Sequence, residues 1–242
     1  MTTLTTTPRV ALISGSSQGL GFQIARLYAE RGIGLILTAR NPERLEAARR
    51  ELSQQTRVVA LPGDVVDAKH VTRLVAMGLD ALGPIDVLIN NASELGPSPM
   101  PELRQLNPDS FARILNVNLI APLRLIQHVL PTMRARREGL IVNVTSDAGV
   151  QAYPTWGGYG ASKAGLEHLS RVLASELDGT GVRVYVVDPG DMDTVMHRAA
   201  EPGEDLSHLP TPDRIAPAFV RLLEETAPFG RFEAQQMLHV PV

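Results

Sequence analysis

The chain has no cysteine. That excludes disulfides, thiolate catalysis and cysteine-bound zinc, and it fits a reducing compartment. Lysines and arginines form no long run, and the formal net charge is -3. A nucleic-acid partner needs a concentrated positive surface, so none is expected. No uncharged apolar run is long enough to span a bilayer, so no membrane partner is expected and a cytoplasmic location is. Residues 1–8 are rich in threonine and have no apolar core. They are expected to form a disordered tail rather than a secretory signal. The histidines, at 70, 128, 168, 197, 208 and 239, make no paired metal motif, and no metal site is expected. Aromatic residues are 4% of the chain, with one tryptophan, Trp156.

What is present reads as an ordinary globular protein. The 242 residues are 44% hydrophobic and 20% charged, enough for one full core. Short apolar runs alternate with stretches of helical period. Strands are expected over 9–14, 33–38, 57–61, 85–89, 140–145 and 182–187, with a last one over Gln236 to Val240. Helices are expected over 19–31, from Asn41-Pro42 through Leu52, over 67–82, over 108–136 as one long helix with a kink at Pro122, and over 159–177. Such alternation gives a mainly parallel sheet of seven strands with helices on both faces. There is no internal repeat and no interdomain linker, so 9–242 is expected to be one domain. A stretch containing Gly, Pro and acids ends at Pro212, and about 194–212 is expected to be a mobile substrate flap.

In sheets of this kind ligands bind at the carboxyl ends of the strands. Two motifs lie there. The turn Ser14-Gly15-Ser16-Ser17-Gln18-Gly19-Leu20-Gly21 sits between the first strand and first helix. Its backbone N–H groups and helix N-terminus suit a pyrophosphate, although a tight turn with no ligand has the same look. Tyr159 and Lys163 are four residues apart on a helix, so they share a side. An ammonium beside a phenol favours the phenolate, so the tyrosine is expected to titrate lower than usual and to exchange protons near neutral pH.

Together with Ser146 upstream, these residues resemble the short-chain dehydrogenase/reductase family over nearly the whole chain. The family turn T-G-x-x-x-G-x-G reads here Ser14-Gly15-x-x-x-Gly19-x-Gly21. N-N-A-G reads Asn90-Asn91-Ala92-Ser93, and P-G reads Pro189-Gly190 with Thr194 downstream. The helix asparagine matches Asn118. The resemblance implies a Rossmann-type doubly wound fold and an enzyme that transfers a hydride between nicotinamide and a carbonyl or secondary alcohol. Tyr159 would be the general acid or base, Lys163 its partner and a ribose ligand, Ser146 the group orienting the substrate oxygen, and Asn118 the holder of a water. The cofactor would lie against Gly15, Ser17, Gln18, Gly19, Leu20, Gly21, Arg40, Asp64, Val65, Asn91, Ala92, Tyr159, Lys163, Pro189, Gly190 and Thr194. A non-catalytic cofactor-sensing or binding protein is the alternative on the same fold.

Cofactor choice is read after the second strand, at Thr38-Ala39-Arg40-Asn41. No acid stands there for a ribose 2′-hydroxyl, and Arg40 suits a 2′-phosphate. NADP(H) is therefore expected ahead of NAD(H), with a solvated or adenine-stacked Arg40 as the other reading. Asp64 matches the family acid near the adenine amino group, or caps the next helix. The pocket is expected to use Glu94, Leu95, the stretch from Gln151 to Trp156, and Met192 and Met196, with Glu94 and His197 facing solvent. The family's C-terminal V-D-G-G is absent, which puts a tetramer in doubt. A homodimer or homotetramer is still expected.

Overall fold

The computed structural model describes residues 10–239. The tail over 1–8 and the expected strand residue Val240 lie outside the described residues. Strands β1 (Val10–Ser14), β2 (Gly34–Ala39), β3 (Val58–Pro62), β4 (Val87–Asn90), β5 (Gly139–Val144), β6 (Val182–Asp188) and β7 (Phe229–Glu233) form one sheet. Its order is β3-β2-β1-β4-β5-β6-β7, and every pair is parallel. The helices are α1 (Gly19–Ala29), α2 (Pro42–Leu52), α3 (Ala68–Leu82), α4 (Pro108–Leu115), α5 (Ala121–Arg136), α6 (Gly157–Glu176), α7 (Val195–Ala200), α8 (Pro212–Ile215), α9 (Pro217–Arg221) and α10 (Ala234–Leu238).

Side chains alternate across a strand, so each core strand feeds two cores. Ala11 and Ile13 pack with Ile24 and Tyr28 of α1, Leu45 of α2 and Phe219 of α9. Val10 and Leu12 pack on the other face with Leu74 of α3, Leu125 of α5 and Leu173 of α6. Asn41 caps α2 by accepting from the Arg44 N–H at 2.8 Å, and Pro42 takes the first turn, where its missing N–H costs nothing. Asp67, not Asp64, caps α3. The sheet reverses its winding between β1 and β4, and the crevice beyond their carboxyl ends is the topological switch point.

Two expectations are corrected. The helix expected over 108–136 is broken by a π-helical turn at Asn116–Ile120. Pro122 has no N–H to return to Asn118, and the Ala121 N–H bonds to the Asn116 carbonyl one residue further back. The last strand is Phe229–Glu233 rather than Gln236 to Val240, and Ala234–Leu238 is helical. Gly230 and Arg231 interrupt the apolar alternation of β7, which hid it. Its Phe232 nonetheless meets Tyr185 of β6 edge-on, with ring centroids 5.1 Å apart.

Candidate active site

The loops at the carboxyl ends of β1 to β6 surround a cleft of about 660 Å³. The turn after β1 forms one wall. Gly15 has a φ of 68°, and a Cβ there would lie 2.9 Å from the Ala92 Cα, so only glycine fits. The Ser14 hydroxyl accepts from the N–H groups of Asn91 (3.1 Å) and Ala92 (3.0 Å). Asn91 Nδ2 donates back to the carbonyls of Ser14 and Gly15 at 3.0 and 3.1 Å. These bonds clamp the turn to the end of β4, and they explain why a serine serves in place of threonine.

Of the residues expected at the site, Gly15, Ser17, Gln18, Gly19, Leu20, Arg40, Asp64, Val65, Asn91, Ala92, Ser146, Tyr159, Lys163, Pro189, Gly190 and Thr194 line the cleft. Gly21 and Asn118 are not among its lining residues. Gly21 packs under the turn, where a Cβ would stand 2.4 Å from the Gly15 carbonyl oxygen. Asn118 is buried in the π turn. Its Nδ2 donates to the Glu94 carbonyl and to Ser162 Oγ, both at 2.9 Å. Its Oδ1 accepts from the Glu94 N–H at 2.8 Å and from Ser93 Oγ at 3.2 Å. The side chain is thus fully engaged in pinning the loop after β4 to α6.

Tyr159 and Lys163 lie on one face of α6, with Lys163 Nζ 5.3 Å from the centre of the phenol ring. Nζ donates to the Val144 carbonyl at 2.9 Å. Ser146 Oγ donates to Asp147 Oδ1 at 2.9 Å. Burial pushes the Tyr159 phenol up to about 12, against the pull of hydrogen bonds with Ser93 and Ser146. The same burial pushes the Lys163 ammonium down to about 8, against the attraction of Asp188. The direction expected for the tyrosine is thereby corrected. Desolvation, helped by the negative charges of Asp188 and Asp147, outweighs those hydrogen bonds, and at neutral pH the phenol carries its proton.

The opposite end of the cleft holds charges that sequence alone did not pair. Asp64 Oδ2 accepts from Arg113 at 2.7 Å. Partial burial works against ionisation of that carboxyl, but Arg113 and the Val66 N–H outweigh it and hold it below the ordinary carboxylate range. Arg113 also reaches Glu94 at 3.2 Å, and Glu94 reaches Arg40 at 3.3 Å. Glu94 is therefore paired rather than facing solvent. Arg44, in the first turn of α2, donates to Gln18 Oε1 at 2.7 Å and lines the cleft beside Arg40. It stands three residues past the Asn41 cap, and that spacing is the signal that would have found it.

At the Tyr159 end, Tyr153, Trp156 and Tyr159 meet edge to face, with centroids 6.3 and 5.8 Å apart, but of the expected stretch from Gln151 to Trp156 only Trp156 lines the cleft. Leu95, Met192 and Met196 also line the cleft. The stretch expected to be a flap begins at Thr194, whose hydroxyl accepts from the His197 N–H at 3.0 Å and caps α7. Leu206 is buried, and Val195 is exposed. His197 is held between Asp191 (3.7 Å) and Glu201 (3.4 Å) and is mostly buried, contrary to expectation.

Among the described residues no helix is long and apolar enough to cross a membrane. A family model described as short chain dehydrogenase matches residues 9–205. An uncharacterized oxidoreductase of Staphylococcus aureus strain MW2 is 31% identical over 82% of this chain and 84% of its own. The ketoacyl reductase HetN of Nostoc sp. PCC 7120 is 34% identical over 93% of this chain and 77% of its own. An alcohol dehydrogenase from the archaeon Thermococcus sibiricus, complexed with 5-hydroxy-NADP, superposes with a TM-score of 0.82 at 31% identity, covering 93% of this chain and 95% of that one.

Proposed function

Given that this chain belongs to the short-chain dehydrogenase family of oxidoreductases, we propose that it uses NADP(H) to interconvert a carbonyl compound and the corresponding secondary alcohol. The observation that carries this reading is the convergence of Tyr159, Lys163 and Ser146 on the cleft that the glycine turn also lines. The relative from Thermococcus sibiricus, solved with an NADP derivative, supports the cofactor.

The residues present fit a dinucleotide. Without a Cβ, Gly15 packs its turn closely against Ala92 and Asn91, and that turn lines the same cleft as Arg40, Arg44 and Lys163. Gly15 to Leu20, with the start of α1, would hold the pyrophosphate. Arg40 and Arg44 would take the 2′-phosphate, and Asp64, Val65 and Ala92 the adenine. Lys163 and Tyr159 would meet the nicotinamide ribose, and Pro189, Gly190 and Thr194 the carboxamide. The bound cofactor supplies or accepts the hydride.

The chain's own groups do the rest. In reduction, Tyr159 gives its proton to the carbonyl oxygen as the carbon gains the hydride. Lys163, still protonated below about pH 8, stabilises the phenolate left behind. Ser146 would orient the substrate oxygen by turning its one O–H from Asp147, to which it donates here, toward that oxygen. Leu95, Trp156 and the two methionines, all lining the cleft, favour a substrate with an apolar body.

The direct test is NADPH oxidation across a panel of ketones, aldehydes and quinones. An inert enzyme that still binds NADPH would leave a cofactor-binding protein instead. In kcat/KM, which reports the free enzyme, reduction should fall as pH rises through about 8, where Lys163 deprotonates. A limb first seen near the ordinary lysine value would contradict it. The sign for stability is opposite. Lys163 binds its proton more weakly folded than unfolded, so its contribution rises with pH between about 8 and the unfolded value of 10.5.

We also propose that the segment over 194–212 closes over the nicotinamide end. Amide hydrogen exchange over it should slow when NADPH and substrate are added together. Strong protection without ligands, unchanged on addition, would make it a static part of the fold.

A further inference from the structure

The mechanism leaves one buried charged cluster without a task. Arg231 of β7 reaches Glu167 Oε1 at 3.2 Å and Asp188 Oδ2 at 3.3 Å. The Glu167 side chain is 2% exposed and that of Asp188 8%. Glu167 Oε1 also accepts from Thr145 Oγ1 at 3.0 Å, and Asp188 Oδ1 accepts from the Gly190 N–H at 2.9 Å. Burying three charges costs desolvation that their attraction only partly offsets, so such a cluster adds little net stability over apolar packing.

Its anchor points are not scattered. Thr145 directly precedes Ser146, and Asp188 directly precedes Pro189-Gly190. Glu167 lies one helical turn after Lys163 on the same face of α6. The register sets Val144 beside Val187, so Thr145 and Asp188 follow at neighbouring strand ends. Val186 stands beside Arg231 in turn. A planar guanidinium has the fork to hold two carboxylates at once, which a point-charge ammonium lacks.

We propose that Arg231 is a positioning residue. From the far edge of the sheet its guanidinium ties the β5 end that carries Ser146, the α6 face that carries Lys163 and the β6 end that carries Pro189-Gly190 into one rigid unit. This rests on the reading of Ser146 and Lys163 as reacting-site groups. Arg231 acts through Glu167, Thr145 and Asp188.

The experiment compares Arg231→Met, Arg231→Lys and the double variant Arg231→Met/Glu167→Met. Each is assayed for Tm, NADPH Kd by fluorescence titration, kcat and KM. Arg231→Met removes the guanidinium shared by two buried carboxylates, leaving Glu167 its pairing with Arg171 at 3.2 Å, and should lower both Tm and kcat. The double variant removes the more deeply buried of those carboxylates, so its Tm should recover toward wild type. Its kcat should stay down on the order of a hundredfold, the scale of about an ångström of misplacement. Its NADPH Kd should stay within about threefold, since the glycine turn is untouched. Arg231→Lys should regain Tm with only partial return of kcat. A purely structural role predicts instead that kcat returns with Tm, and a double variant within about twofold of wild-type kcat overturns the proposal. Should neither methionine variant fold, Thr145→Val removes one anchor with little loss of packing. Reduced kcat at unchanged Tm supports the proposal there, and unchanged kcat overturns it. Failure of the underlying reading shows separately, as near-normal turnover in Tyr159→Phe.

Discussion

Tyr159→Phe is expected to lose more than ~10²-fold in kcat, the lower range for removal of a general acid, while NADPH binding stays near normal. The phenol stays protonated well above neutral pH because the fold buries it, so it is a donor ready for a carbonyl oxygen. Phenylalanine keeps the ring, and with it the edge-on contact to Trp156 at 5.8 Å. On the proposed reading the cofactor would be held chiefly by the glycine turn and Lys163. Steady-state kinetics with a turned-over ketone, beside a fluorescence titration with NADPH, separates the two effects. Near-normal kcat would remove Tyr159 from the chemistry, and equal loss of binding and turnover would make its role one of cofactor affinity.

Arg40→Asp is expected to weaken NADPH by roughly ten- to a hundredfold, the worth of a charge-assisted contact of about 1.5–3 kcal/mol, and NADH far less. A carboxylate there would face the 2′-phosphate and would also lose the pairing with Glu94. Arg44 remains nearby through its bond to Gln18, so some preference for NADPH should survive until both arginines are replaced. Direct titration of wild type and variant with both cofactors decides the point. A wild type that already binds NADH more tightly would reverse the cofactor assignment.

The parts of this protein legible in the chain are those governed by neighbours a few residues apart. The glycine turn follows from backbone sterics within Ser14 to Gly21, and the shared face of Tyr159 and Lys163 from helical period. The Pro42 start of α2 follows from the missing proline N–H. Six of the seven strands show as short apolar runs, and all of these but the half-buried β3 are buried on both faces. β7 does not, since Gly230 and the charged Arg231 occupy its middle. The π turn was hidden for a related reason. Pro122 marks the interruption, but the partners that hold Asn118 within the turn, Glu94 and Ser162, lie elsewhere in the chain.

Composition, strand-helix alternation and short motifs thus determined that this chain builds a parallel sheet with a dinucleotide-type turn and a Tyr-Lys helix at one end. Only the tertiary structure decided which way Tyr159 titrates, because its burial and the nearby charges of Asp188 and Asp147 are set by the fold. It alone also decided that Arg113 neutralises Asp64 and Glu94, that Arg44 joins Arg40 beside Gln18, and that Arg231 reaches Glu167 and Asp188. The physical reason is range. Backbone sterics and periodicity act over a few residues, whereas desolvation and charge pairing are set by whatever the folded sheet brings close, and here that includes partners 64 residues apart in sequence.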